Sequence, residues 1–91
     1  MAFSWDDRKA STNLRRHGVR FEEAATVFAD PLGRIYDDPD HSEDELRFLL
    51  VGHSLAGRIL VVVHAEKDDA IRIISARRVT PSEREEYETD A

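Results

Sequence analysis

The stretch RILVVVHAEKDDAIRIISARR, residues 58–78, decides the fold of this chain. It holds two apolar runs, 58–66 and 70–78, whose richness in Val and Ile is typical of β-strands. The link between the runs is too short for a crossover, so the two strands are predicted to be antiparallel neighbours. Asp68 and Asp69 are predicted to form a two-residue turn, which sets the register of this hairpin.

The predicted register collects the polar side chains of the hairpin on one face of the sheet. Side chains alternate between faces, so the two-residue turn places His64 opposite Ile73 and Leu60 opposite Arg77. A four-residue link at 54–57 then adds two residues from the preceding strand. The predicted polar face contains Arg58, His64, Glu66, Ser75, Arg77, Arg47 and His53. The predicted core face contains Ile59, Val61, Val63, Ala65, Ile74, Ala76, Leu46, Phe48 and Leu50.

Three helices are predicted outside this hairpin. Residues 6–17 begin with acids and end with basic residues, which suits the dipole of a helix. A second amphipathic helix begins at Phe21 and is stopped by the dipeptide Asp30-Pro31. Thr80, followed by a proline and a glutamate at the capping-box spacing, predicts the start of a last helix.

Two more strands complete the predicted sheet, a short one at 33–38 and a longer one at 46–53. The chain is therefore predicted to be an α+β protein in which two N-terminal helices precede a four-stranded antiparallel sheet and a C-terminal helix. Its 91 residues leave room for one domain, spanning 1–91.

Composition narrows the setting in which the protein works. The chain has no cysteine, which excludes disulfides and thiolate metal sites and favours a reducing compartment. Its longest apolar run, ILVVV, is far too short for a membrane span, and its first ten residues lack the apolar core of a signal peptide. We therefore expect a cytoplasmic protein that has no membrane contact and no cofactor.

The net charge of −6 argues at first against a nucleic-acid partner, but its distribution weakens that objection. Residues 1–20 and 55–79 carry an excess of basic side chains, whereas the acids concentrate in 21–54 and 80–91. Phosphate binding depends on a local basic patch and not on the total charge. The candidate RNA-binding residues in and beside the basic segments are Lys9, Arg15, Arg16, Arg47 and Arg78.

The predicted polar face has the residue types that cleavage of an RNA phosphodiester requires. Cleavage without metal needs a base for the 2′-hydroxyl, fixed positive charge on the phosphate oxygens and an acid for the leaving oxygen. Arginines supply the charge, and a histidine or glutamate moves the proton. The candidate catalytic residues are Arg58, His64, Arg77, Tyr87, Glu66 and Ser75, with Tyr87 reaching over the sheet from the last helix.

A purely structural interpretation stays open for the same residues. Arginines at strand ends often pair with acids, and His64 fits a hydrogen-bonded histidine within a sheet. Lys9, Asn13 and His17 share one helix face, where they either contact RNA or tie the helix to the sheet. The acidic segment 37–45 lacks the spacing of a calcium loop, so it is predicted to be a solvated loop without a metal.

Several spaced motifs in the chain resemble one known family, the BrnT-type toxins. The segments that carry the resemblance are WDDRKASTNLRRHGVRFEEAATVFADP, VGHSLAGRILVVVHAE and RIISARRVTPSEREEYE. The resemblance implies a RelE-like fold, metal-independent cleavage of RNA and arrest of growth. It also implies a cognate antitoxin with a DNA-binding domain, through which alone the complex would reach promoter DNA. The alternative function is a non-catalytic RelE-like module that only binds protein or nucleic acid.

Overall fold

The computed structural model describes residues 2–39 and 45–90, which form five strands and three α-helices. The elements in chain order are β1 (Ala2–Ser4), α1 (Asp7–His17), α2 (Phe21–Thr26), a 3₁₀ turn (Val27–Ala29), β2 (Arg34–Asp37), β3 (Arg47–His53), β4 (Ile59–Lys67), β5 (Ala70–Arg78) and α3 (Pro81–Asp90). The α+β class is confirmed. The predicted acidic loop falls largely on residues 40–44, outside the described residues.

The strands form one sheet in the order β1-β5-β4-β3-β2. The pairs formed by β2, β3, β4 and β5 are antiparallel, as their short links predict. The prediction of four strands is wrong, because Ala2–Ser4 adds a fifth strand that runs parallel to β5 at Ala70–Arg72. A three-residue strand is too short to show the alternation of apolar and polar residues by which strands are found in a sequence.

The predicted turn between β4 and β5 is confirmed. Asp68 and Asp69 both adopt positive φ angles, 52° and 63°, as the tight two-residue turns of hairpins require. The predicted register also holds from this turn to the pair His64–Ile73. Beyond that pair the register shifts by one residue, because a β-bulge leaves Ile74 without a partner across the ladder.

The predicted link between β3 and β4 is one residue too short. β3 ends at His53 and β4 begins at Ile59, and these two residues pair, so Arg58 belongs to the loop. Within the loop, Gly57 has a φ of 84°, and its amide donates to the carbonyl of Ser54. An odd number of loop residues inverts the faces of one strand relative to the other.

The prediction of a single polar face is therefore wrong, because the bulge and the five-residue loop divide the predicted residues between the two faces of the sheet. His64 and Glu66 lie on the face that α1 and α2 cover, and Arg58 bonds to α2 on that side. The opposite face carries Arg47, His53, Ser75 and Arg77.

The main core lies between the sheet and the first two helices. It is formed by Val19, Phe21, Ala24, Val27, Leu50, Leu60, Val62, Ile71, Ile73 and Ala76. The placement of Leu50 and Ala76 in the core is confirmed, whereas Leu60 and Val62 replace Ile59 and Val61 as the β4 residues that face the helices. Because β4 is central, Ile59, Val61 and Ala65 are nevertheless buried on its other face. Leu46 is exposed.

Asn13 attaches α1 to β5 as a strand partner would. Its Nδ2 donates to the carbonyl oxygens of Val19 at 3.0 Å and Ala76 at 2.8 Å, and its Oδ1 accepts from the amide of Ala76 at 3.0 Å. β1 pairs with β5 only at Ala70–Arg72, so farther along this side of β5 the side-chain amide of Asn13 satisfies the backbone groups of Ala76. For Asn13, the prediction that this helix face ties α1 to the sheet is confirmed.

The last helix, α3, contacts the opposite face of the sheet. Its first turn is closed by the predicted capping box, in which Thr80 and Glu83 exchange side-chain and backbone hydrogen bonds. Glu83 also accepts two hydrogen bonds from Arg77, at 2.7 and 2.9 Å. The hydrogen bonds from Arg77, followed by those from Thr80, lower the pKa of Glu83 to about 2.

Glu83 is expected to make the protein less stable in acid. Its pKa in the folded chain lies below the ordinary value of 4.5, so its stabilising effect is complete above about pH 4.5 and is lost as the pH falls towards 2. Urea unfolding of the Glu83→Gln variant should therefore differ most from the wild type near pH 7 and converge with it in acid. Glu86→Gln, on the same helix, is the control. A difference in the free energy of unfolding between Glu83→Gln and the wild type that is as large near pH 2 as at pH 7 would refute this role.

Candidate active site

A cleft opens at the end of the sheet where the three central strands meet. The pairs His53–Ile59 and Leu60–Arg78 close this end of the ladder, and the β3–β4 loop and the start of α3 flank it. The cleft has a volume of about 550 Å³. Its lining includes four basic or titratable side chains, His53, Arg58, Arg78 and Arg84.

Arg58 is held at the cleft by two elements on the helix side of the sheet. Its Nε donates to Glu23 Oε2 at 2.9 Å, and its Nη2 donates to Glu23 Oε1 and to the carbonyl of Gly18. The hydrogen bond from Arg58 is the main cause that lowers the pKa of Glu23. Among the described residues Nη1 has no partner, so one edge of the guanidinium is fixed while the other is available to an anion.

Arg78 and Arg84 supply charge that is less constrained. Arg78 is exposed and has no ion pair within the part of the chain that the structure describes. Arg84 bonds to Glu88 one turn along α3, at 3.1 Å, with both side chains largely in solvent. Such an exposed pair contributes little stability, so a phosphate can displace the carboxylate at small cost.

His53 lies beside a carboxylate at the rim of the cleft. Asp30 Oδ2 accepts a hydrogen bond from the His53 amide at 2.7 Å and lies 3.6 Å from His53 Nδ1. The same oxygen accepts from the Tyr87 hydroxyl at 3.2 Å, and the rings of Tyr87 and His53 are 5.7 Å apart. The hydrogen bonds from the His53 and Leu32 amides lower the pKa of Asp30 against its desolvation, which keeps it ionised.

His64 and Glu66, two of the predicted catalytic residues, do not reach this cleft. His64 is fully buried, with its ring 4.8 Å from that of Phe28 and 5.7 Å from that of Phe48. Its Nε2 lies 3.1 Å from Glu66 Oε2. A buried ring cannot touch a polymer in solution, so the prediction that His64 faces RNA is wrong and the open alternative of a hydrogen-bonded sheet histidine is confirmed.

The other predicted catalytic residues, Arg77, Tyr87 and Ser75, do not line the cleft. Arg77 forms the bidentate pair with Glu83 and thereby anchors α3. Tyr87 is buried, and its hydroxyl contacts Asp30 and the carbonyl of Leu32 instead of lying over the middle of the sheet. Burial raises the pKa of this phenol, with a further contribution from Asp30. Ser75 lies on β5 beyond the bulge, where it is among the residues that line a groove between α1 and β5.

Of the five predicted RNA-binding residues, only Arg78 lines the cleft. Lys9 and Arg16 line a separate groove between α1 and β5, and Arg15 lies on the exposed surface of α1. Arg47 pairs with Asp38 at 3.3 Å. The cleft and the α1 surface are therefore two distinct basic regions.

Three residues of the cleft region were not assigned a role from the sequence. Glu23 and Asp30 were interpreted only as helix residues, the second as a stop signal, although both orient cleft side chains. Nothing in the sequence separates Arg84 from the other charged residues of the last helix. His53 did carry a signal, since it is a histidine at the end of an apolar strand directly before a turn.

The described residues, 2–39 and 45–90, contain no group of three or more His, Cys, Asp or Glu side chains placed to hold a metal ion. In the same residues, no helix is long and apolar enough to cross a membrane.

The molecule is thus a small α+β protein with a cationic cleft at one end of its sheet. A family model described as "Ribonuclease toxin, BrnT, of type II toxin-antitoxin system" matches residues 5–83. The chain therefore belongs to the BrnT family of ribonuclease toxins, as the resemblance of its motifs implies.

A solved structure supports the same fold. The ribonuclease toxin BrnT of Brucella abortus matches with a TM-score of 0.64 over 88% of this chain and 97% of that chain. The two sequences are 22% identical, so this likeness shows the fold alone. No curated protein sequence matches the chain. The RelE-like description of the fold stays a prediction.

Proposed function

We propose that the chain is an endoribonuclease that cuts RNA without a metal ion and binds the scissile phosphate in the cleft at the end of the sheet. The observation that carries this proposal is the convergence of Arg58, Arg78, Arg84 and His53 on one cleft in a protein whose net charge is −6. A local basic patch can bind phosphate even in a protein whose total charge is negative.

In this proposal the arginines replace the charge that a metal would otherwise provide. Arg58 is the best placed, because Glu23 and Gly18 fix its guanidinium while Nη1 stays available. Arg78 and Arg84 add charge from β5 and α3. Lys9, Arg15 and Arg16 on α1 extend the basic surface for more distant phosphates. Arg77 supports the site indirectly, since its pair with Glu83 fixes the start of α3.

We also propose that the protein acts in the cytoplasm, where its cleavage of RNA arrests growth. A cognate antitoxin that carries a DNA-binding domain would neutralise it and would alone bring the complex to promoter DNA. The family's place in type II toxin–antitoxin systems supports an antitoxin partner. Leu60, Val62 and Ile73 are core residues, so they are not available to that partner.

The test is an assay of the purified chain on labelled single-stranded RNA in the presence of EDTA. We expect cleavage at the same rate in EDTA and in Mg²⁺, with products that end in a 2′,3′-cyclic phosphate. This ending follows from attack by the 2′-oxygen, which is the route open to an enzyme that uses arginine charge in place of a metal.

Loss of cleavage in EDTA with recovery in Mg²⁺ would contradict metal independence. Binding of RNA without any cleavage, with or without Mg²⁺, would instead favour the non-catalytic binding module. A preparation in which Arg58, Arg78 and Arg84 are all replaced by alanine controls for a contaminating nuclease.

A further inference from the structure

We infer that His53 is the general base of the proposed RNA cleavage and that Asp30 is the positioning residue that orients it. The inference rests on the proposed function, because a base is needed only if the cleft cuts RNA. It assigns proton transfer to His53, which lines the cleft, instead of to the buried His64.

Exposure and position distinguish His53 from the other described histidines. Its side chain is 49% exposed and lines the same cleft as Arg58 and Arg78. His64 is fully buried, and His17 ends α1 in a different groove. His53 therefore combines access to a bound phosphodiester with the side chain that ordinarily changes charge between pH 5 and 8.

Asp30 lies against one side of the imidazole, and the half-exposed ring is otherwise open to substrate. The carboxylate lies 3.6 Å from Nδ1, and its side chain is only 10% exposed. Its position is fixed by the amides of His53 and Leu32 and by the Tyr87 hydroxyl. With Nδ1 directed towards an anion, Nε2 is the nitrogen that accepts a proton, and the imidazolium that forms is stabilised.

The charged and titratable groups around His53 come from several elements. Asp30 lies in the segment before β2, Tyr87 comes from α3, and Arg34 of β2 lies 6.0 Å from the Tyr87 ring. Arg58 and Arg78 share the cleft with the histidine. Of these groups, Asp30 is the one that lies against Nδ1.

The chemical step is balanced without a further reactant. Neutral His53 removes the proton from the RNA 2′-hydroxyl through Nε2, and the 2′-oxygen forms a bond to phosphorus while the bond to the 5′-oxygen breaks. The 5′-oxygen leaves and takes a proton from water, and the hydroxide that remains takes the proton from the His53 imidazolium, which restores the neutral base. Arg58 neutralises the charge that develops on the non-bridging oxygens.

The experiment compares the rate and pH dependence of RNA cleavage by the wild type, His53→Ala, His53→Gln and His17→Ala, all in EDTA. For both His53 variants we expect kcat to fall by about 100-fold or more with KM changed less than about threefold, as loss of a general base predicts. His17→Ala should keep its rate within about threefold. Thermal unfolding of each variant checks its folding.

The pH profile separates catalysis from structure. The wild-type rate should fall in acid as the base becomes protonated. The His53 variants should lack this acid limb of the pH–rate profile. Asp30→Asn should lower kcat and leave KM nearly unchanged, because the imidazole loses the anion that lies against Nδ1. A role of Asp30 in folding alone would leave the kcat of the folded protein unchanged. Added imidazole should restore part of the rate of His53→Ala.

The outcomes distinguish this inference from the function on which it rests. If the wild type cleaves RNA and both His53 variants cleave at its rate, His53 is not the base, and the proposed function still stands. If the wild type cleaves no RNA, the proposed function and this inference fall together. If the His53 variants lose RNA binding instead of kcat, the histidine is a binding residue and the inference is wrong.

Discussion

Replacing Asn13 with alanine is expected to lower the free energy of unfolding by about 3 kcal/mol, because it leaves buried backbone groups without hydrogen bonds. Three such groups are involved, the amide and carbonyl of Ala76 and the carbonyl of Val19. Val19 and Ala76 are almost completely buried, so water cannot easily replace the lost side-chain amide of Asn13. Domains of this kind have a total stability of roughly 5–15 kcal/mol, which makes the loss a large fraction.

Urea unfolding at neutral pH measures this effect. Asn13→Asp should also be destabilised, because it keeps the acceptor for the Ala76 amide but loses both donors and buries a carboxylate. Ser11→Ala, at an exposed position of the same helix, is the matched control and should stay within about 0.5 kcal/mol of the wild type. A loss below about 1 kcal/mol for Asn13→Ala would show that α1 does not depend on this contact.

The second large effect is expected at Arg58. Arg58→Ala should reduce the rate of RNA cleavage by about 10²–10³-fold, the usual cost of removing one preorganised donor from developing charge. Arg58→Lys should recover little of this loss. A lysine cannot keep the paired contacts with Glu23 while presenting a second edge to phosphate.

The control for Arg58 is an arginine with similar bonding outside the cleft. Arg72 on β5 pairs with Glu45, and neither residue lines the cleft. Arg72→Ala should cleave RNA at the wild-type rate. Unfolding curves for both variants separate a folding defect from a catalytic one, since Arg58 also bonds to Glu23 and Gly18. Equal rates for Arg58→Ala and the wild type would remove the cleft from the mechanism.

The sequence is sufficient to predict the elements whose patterns are local. The turn at Asp68 and Asp69, the capping box at Thr80 and Glu83, and the antiparallel order of β2 to β5 are all present in the structure. Each depends on residues close together in the chain, which is why pattern alone identifies them. β1 is missed because its pairing with β5 depends on contact between distant segments.

The candidate site was less predictable, because two one-residue shifts control which side chains share a face. The bulge at Ile74 moves Ser75 and Arg77 away from the face of His64, and the odd β3–β4 loop does the same for Arg47 and His53. Tertiary packing decides where a bulge forms and whether a loop has an odd or an even number of residues. Neither feature can be recognised reliably from the amino-acid sequence. The predicted residue types were suited to RNA cleavage, but the predicted His64 is buried, and the histidine that lines the cleft is His53.

The measurement that tests the central claim most directly is the growth of cells on induction of the wild type and of Arg58→Ala at equal protein levels. If the chain is a ribonuclease toxin that works through the cleft at the end of the sheet, the wild type stops growth soon after induction and the Arg58→Ala culture continues to divide. Arg72→Ala should be as toxic as the wild type. Growth arrest by a folded Arg58→Ala variant at the wild-type rate, or unimpaired growth with the wild type, would contradict the account.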